Sequence, residues 1–96
     1  YPAEIEGTLI GMGGVRDCAV FGIPDEEYGE RLCAYIELES GSSLSAKDAQ
    51  VYLAARLANF KVPKVIEFVN ALPREASGKI FKRKLRDPYW ESRIYS

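Results

Sequence analysis

Apolar residues recur every three or four positions at the start of the chain, where Ile5, Leu9 and Met12 share one face, and this spacing predicts a helix. Pro2 suits its first turn, Glu4 and Glu6 suit the positive end of its dipole, and Gly13-Gly14 marks its stop. The period then changes. Val15 to Gly22 is β-branched and aromatic in character. Arg31 to Glu39 sets Leu32, Ala34, Ile36 and Leu38 against Arg31, Cys33, Tyr35 and Glu37, the alternation of a strand. The two are predicted to pair antiparallel. Their connection, Ile23 to Glu30, is longer and more acidic than a minimal hairpin loop requires.

After the turn at Gly41-Ser42-Ser43, Ser45 and Asp48 have the spacing of a capping box, opening a helix that buries Ala49, Leu53 and Leu57 and ends near Asn59. Val65 to Val69 predicts a third strand, apolar enough to be covered on both faces, and Leu72-Pro73 ends it. Arg74 to Lys79 is polar and contains a glycine, the signature of a surface loop; Phe81 to Arg86 predicts a short helix before Pro88. Helices mixed with a three-stranded sheet give the α+β class, a sheet flanked by helices within one small domain over 1–96.

Composition narrows the functions open to such a domain. With 47% hydrophobic and 28% charged residues, the 96-residue chain is an ordinary globular sequence, and its size limits it to one modest core. No stretch approaches the ~20 apolar residues of a membrane span, the first residues show no basic-then-apolar signal pattern, and a cytoplasmic location is the default expectation. Cys18 and Cys33 fall on adjacent strands, close enough in principle to meet, yet two thiols make neither a disulfide framework nor a zinc site; both are expected as buried small hydrophobes, and no metal site is expected. The absence of histidine removes the commonest general base, which argues against a self-contained enzyme. A chain opening at Tyr1 is expected to be a fragment.

The net charge of −1 conceals an asymmetry: residues 1–60 carry 4 basic and 10 acidic residues, residues 61–96 carry 9 and 4. An anionic partner for the C-terminal third is one reading and a solvated cationic face is the other. Lys79 to Arg86, with Phe81 interleaved, also fits a small nucleic-acid-binding module, but the acidic front part opposes it and no nucleic-acid partner is expected. A stand-alone docking module without catalysis is a further alternative.

The segment Leu72-Pro73-Arg74-Glu75-Ala76-Ser77-Gly78-Lys79-Ile80 holds the candidate chemistry. Gly78 permits a tight turn beside Lys79, a mobile cation on a long stem, suited to following a carboxylate or phosphate oxygen. The spacing is not that of a phosphate-cradling P-loop. Leu72-Pro73 followed by Ser77-Gly78-Lys79-Ile80 resembles the last signature of the adenylate-forming superfamily of acyl-CoA synthetases, luciferases and peptide-synthetase adenylation domains. Three more segments match in order: Tyr1-Pro2-Ala3-Glu4-Ile5-Glu6 resembles the segment after that family's hinge, Pro24-Asp25 with Gly29-Glu30 its PD-x-x-x-GE loop, and Phe60-Lys61-Val62-Pro63 its Y/F-K-V-P element. Together they cover residues 1 to about 87.

The resemblance implies the C-terminal lid domain of an ATP-dependent acyl-CoA synthetase, nearest to bacterial fatty-acyl-CoA ligases, with an aromatic acid-CoA ligase as the alternative. It implies ATP, Mg2+ and coenzyme A for the whole enzyme, none held by this domain alone, and a large N-terminal adenylation domain as partner. Lys79 would be catalytic in adenylation, Ser77 and Gly78 would form its nucleotide loop, and Gly29, Glu30, Phe60 and Lys61 would border the coenzyme A channel. Lys82, Arg83, Lys84 and Arg86 would steer anionic substrates, pair with the large domain, or form a solvated helix face. The aromatic tail, Tyr89, Trp90 and Tyr95, would fold back or dock on a partner, and Ile94-Tyr95-Ser96 differs from the peroxisomal address of some relatives.

Overall fold

The computed structural model describes residues 1–94; the expectations for Tyr95 and Ser96 lie outside the described residues. Three α-helices and a three-stranded sheet make an α+β domain. The order is α1 (Pro2–Ile10), β1 (Val15–Asp25), β2 (Gly29–Leu38), α2 (Ala46–Ala54), β3 (Val65–Val69) and α3 (Lys82–Ile94). In the sheet, β2 is central, antiparallel to β1 and parallel to β3.

The two faces of the sheet carry different helices. On one, α1 and α2 cover Cys18, Val20, Ala34 and Ile36 with Ile5, Leu9, Ala49 and Leu53. Ile5, Leu9, Ile36 and Leu53 are wholly buried, each contributing about 1.5–3 kcal/mol by leaving water, so this layer supplies most of the stability. Ser45 opens α2 with the expected reciprocal capping box, its hydroxyl accepting from the Asp48 amide while Asp48 accepts from Ser45. The helix stops at Ala54, short of Asn59, which instead opens a 3-10 turn over Asn59–Lys61.

The opposite face packs Phe21, Ile23, Cys33, Tyr35 and Val65 under Leu85 and Tyr89 of α3. This corrects two expectations. The last helix does not stop before Pro88 but runs through it. A proline in a helix interior costs about 3 kcal/mol, and packing of the next two residues offsets it. Tyr89 shares a 2.8 Å hydrogen bond with Tyr35 and lies 6.2 Å from the Phe21 ring, while Trp90 Nε1 donates to the Gly22 carbonyl at 3.0 Å. The aromatic tail therefore folds back as far as Trp90. Nor do the cysteines meet, because Cys18 pairs with Ile36 and Cys33 with Phe21, an odd offset that puts them on opposite faces. Burial raises both thiols, to about 12 for Cys18 and about 11 for Cys33.

Two strand expectations also change. β1 continues through Pro24 and Asp25, and the connection shrinks to Glu26-Glu27-Tyr28, with Asp25 accepting from the Tyr28 amide and Gly29 at φ +82. Pro24 is tolerated because β1 is an edge strand. β3 is an edge as well, half-buried with Glu67 exposed, instead of covered on both faces.

Candidate functional site

Sheet topology sorts the candidate residues into two groups. β3 starts beside Cys33, near the Gly29 end of β2, and finishes beside Glu37 at the other end. The connector entering β3 therefore brings Phe60 and Lys61 to the end of the sheet that holds Gly29 and Glu30. The chain leaving β3 carries Ser77, Gly78 and Lys79 to the opposite end. Asp17 and Asp25 mark the two ends along β1, and eight strand residues span about 26 Å.

At the Lys79 end the expected loop is a tight hairpin. Arg74 bridges Ile80, the Glu75 amide donates to the Lys79 carbonyl at 2.8 Å, and the Gly78 amide donates back to Glu75 at 2.9 Å. Ala76-Ser77-Gly78 forms the three-residue turn, and Gly78 at φ +92 takes its left-handed position, where a side chain would be strained. The Ser77 hydroxyl faces the Lys79 amide at 3.5 Å, and the Phe81 amide closes the base on the Pro73 carbonyl at 2.8 Å. Lys79 is exposed, and its amine has no hydrogen-bond or ion-pair partner among the described residues.

Beneath this hairpin lies a charged seat to which the sequence reading assigned nothing. The regular register of the β1–β2 pair sets Asp17 opposite Glu37, and the ladder becomes irregular just beyond it, between Asp17 and Val15. Glu37 is only 6% exposed; its Oε1 accepts from the Leu72 amide at 2.8 Å. Arg74 contacts Asp17 at 2.7 Å and Glu37 at 3.9 Å, and its other nitrogen donates to the Gly78 carbonyl at 3.1 Å. The Asp17 hydrogen bond raises the already high pKa of Arg74. Arg16 joins from the side, 3.9 Å from Glu37 and 3.2 Å from Glu39. The one signal in the sequence is Glu37 sharing its alternation with Cys33 and Tyr35, a carboxylate on a face that α3 covers.

The other end has a different character. Phe60 is 80% exposed. Lys61 is half-buried and bonded to Glu4 at 2.7 Å, which holds the Glu4 carboxyl below its ordinary range. Gly29 and Glu30 are exposed strand residues instead of loop residues. Glu30 folds over Gly22, where a Cβ would collide with its carboxylate, and borders a groove shared with Pro2, Val20, Lys82 and Trp90.

The basic cluster after the hairpin is only partly available to a ligand. Lys82 pairs with Glu6 at 2.7 Å, and that carboxylate also accepts from the Val20 amide at 2.8 Å, so Lys82 ties α3 to α1 and β1. Arg86 lies 3.5 Å from Asp87, Arg83 sits 5.9 Å from the Phe81 ring, and Lys84 is exposed. Among the described residues no group of three acidic, cysteine or histidine side chains could hold a metal, and the Asp17–Glu37 pair is already taken by arginines. No helix there is long and apolar enough to cross a membrane.

Known proteins resemble this chain in sequence and in fold. The chain is 44% identical over 90 residues to the fatty acid–[acyl-carrier-protein] ligase ScoC of Streptomyces coeruleorubidus, covering 94% of this chain and 17% of that protein. It is also 44% identical over 86 residues to a feruloyl-CoA synthase of an Amycolatopsis species, covering 90% of this chain and 18% of that one. The crystal structure of ATP-bound MatB from Rhodopseudomonas palustris superimposes with a TM-score of 0.89 at 36% identity, covering 100% of this chain and 19% of that chain. The chain thus spans less than a fifth of the length of these relatives. Residues 4–79 match the family model described as AMP-binding enzyme C-terminal domain. With that match extending from the first helix to Lys79, and with the same fold in its relatives, the chain belongs to the AMP-binding enzyme C-terminal domain family of the adenylate-forming enzymes.

Proposed function

We propose that residues 1–96 are the mobile lid of an ATP-dependent, AMP-forming acyl-CoA synthetase acting on a fatty acid. In the first step a carboxylate oxygen of the acid attacks the α-phosphorus of ATP and pyrophosphate leaves, giving an acyl-adenylate. In the second the thiol of coenzyme A attacks the acyl carbonyl and AMP leaves. The observation that carries the reading is the unpaired amine of Lys79 at the tip of a clamped hairpin. Placed against the reacting oxygens, it orients the attack and offsets charge developing at phosphorus, while Ser77 and Gly78 shape the turn that presents it.

The remaining candidates belong to the second step. Gly29 and Glu30 sit at the far end of the β1–β2 ribbon, about 26 Å from the Asp17 end by strand length, and Phe60 and Lys61 lie on the connector into the start of β3, whereas the hairpin follows its other end, so one pose does not present both groups to the same reacting atoms. A rotation of the domain between steps brings each end in turn to an active site built by a large N-terminal domain. Mg2+ accompanies ATP. The adenine pocket and the acid pocket belong to the large domain, so this domain alone is inactive. The enzyme acts in the cytoplasm, where ATP and coenzyme A are at hand.

ScoC supports the fatty acid; the equal identity to feruloyl-CoA synthase favours an aromatic acid as the second reading. In the complete enzyme, Lys79→Ala is expected to slow acyl-adenylate formation about a hundredfold, roughly 3 kcal/mol of transition-state stabilisation. Adenylation at the wild-type rate would refute the assignment. The same assay over a panel of fatty and aromatic acids decides the acyl class.

A further inference from the structure

The seat beneath the Lys79 hairpin has a feature that folding alone does not demand. Asp17 and Glu37 face each other across β1 and β2, and like charges directly opposed on a sheet repel. Two neutral residues would pack at this position without that repulsion. The chain instead places two carboxylates there and brings in Arg74 from a connector 57 residues beyond Asp17. The same guanidinium reaches the Gly78 carbonyl, one peptide unit before Lys79. Three contacts thereby join the central strand, the edge strand and the turn through one planar side chain, whose fixed fork holds direction as well as distance. The Leu72 amide, bonded to Glu37, pins the start of the same connector.

We infer that Arg74, seated on Asp17 and Glu37, is a positioning residue that sets the height and direction of Lys79 for the adenylation step. The inference rests on the proposed role of Lys79. Arg74 does not touch the reacting atoms; it acts by making the lysine tip rigid with the sheet. Lys79 then moves with the whole domain instead of sweeping a cone on a loose turn. Without the guanidinium the turn loses its clamp and the two carboxylates repel beneath it. Displacing a catalytic group by about 1 Å can cost as much as a hundredfold in rate.

The test compares four forms of the complete enzyme: wild type, Lys79→Ala, Arg74→Met, and Arg74→Met combined with Asp17→Asn. Methionine keeps the stem of Arg74 and removes the fork; the second substitution removes the carboxylate repulsion, so the double variant separates folding from positioning. For Arg74→Met, kcat of acyl-adenylate formation is expected to fall at least tenfold at saturating ATP, with thioester formation from supplied acyl-adenylate within twofold of wild type. The double variant is expected to regain thermal stability but not adenylation.

Adenylation returning together with stability in the double variant would overturn the inference, because the arginine would then act through folding. Full adenylation in Arg74→Met beside a collapsed Lys79→Ala would overturn it while leaving the lysine's role intact. Full adenylation in Lys79→Ala would overturn both.

Discussion

The two ends of the β1–β2 ribbon are built from the same strands and solve opposite problems. At the Asp17–Glu37 end, charge is gathered beneath the surface so that one cation above it is left free: Arg74 and Arg16 are spent on carboxylates, and Lys79 stands alone on the turn. At the Gly29 end, Lys61 is held by Glu4, and what faces outward is the Phe60 ring and a groove beside Glu30, among the exposed side chains of Glu26, Glu27, Arg31 and Lys64. One end offers a mobile cation on a fixed mount; the other offers a ring and a groove among surface carboxylates. That contrast matches the two half-reactions of the proposed enzyme, one developing negative charge at phosphorus, the other guiding a long thiol to a carbonyl.

Both ends rest on one hydrophobic support, and removing that support should abolish them together. Leu53 of α2 is wholly buried against the sheet in the larger core cluster. Leu53→Ala is expected to cost about 2–5 kcal/mol, a large part of the total for a domain of this size, with both half-reactions declining in step on warming. Denaturant titration measures the loss.

A smaller change should strike one end only. Gly78→Ala forces a side chain into the left-handed region at φ +92 and costs about 1–2 kcal/mol locally. The sheet should stay intact, adenylation should slow, and thioester formation should hold. Equal loss in the two half-reactions would mean that the hairpin matters to the whole fold.

The smallest effect belongs to the Lys61–Glu4 tie. Lys61 holds the Glu4 carboxyl below its ordinary value of 4.5, first through the hydrogen bond and then through its charge. A carboxyl lowered by folding adds stability above the unfolded value and loses it as pH falls through the folded one. Lys61→Met should therefore lower the urea midpoint slightly at pH 7, and the gap to wild type should close well below pH 4.5. A gap that persists in acid would assign the effect to the lysine stem.

Local chemistry in the sequence foretold the local parts of this structure. The Ser45–Asp48 box, the Ile5–Leu9 stripe and the alternation in β2 were legible because each feature is settled within a few residues. The misreadings involve distant partners. Pro24 looks like a loop residue until β1 is known to be an edge, and Pro88 looks like a terminator until Tyr89 and Trp90 are seen packed on β1 and β2. β3 looks buried until it too proves to be an edge. Of the candidate site, Lys79 and its glycine were visible as a motif. Their seat was not, since Asp17, Glu37 and Arg74 are 20 and 37 residues apart along the chain and meet only through strand register.

If the two ends serve different half-reactions, a crossed pair of substitutions in the complete enzyme should separate them. Lys79→Ala removes the free cation at one end; Phe60→Ala removes an exposed ring at the other, with little expected cost to the fold. Lys79→Ala is predicted to depress acyl-adenylate formation about a hundredfold and spare thioester formation, while Phe60→Ala depresses thioester formation and spares adenylation. If both substitutions depress the same half-reaction, the division of labour between the two ends is contradicted.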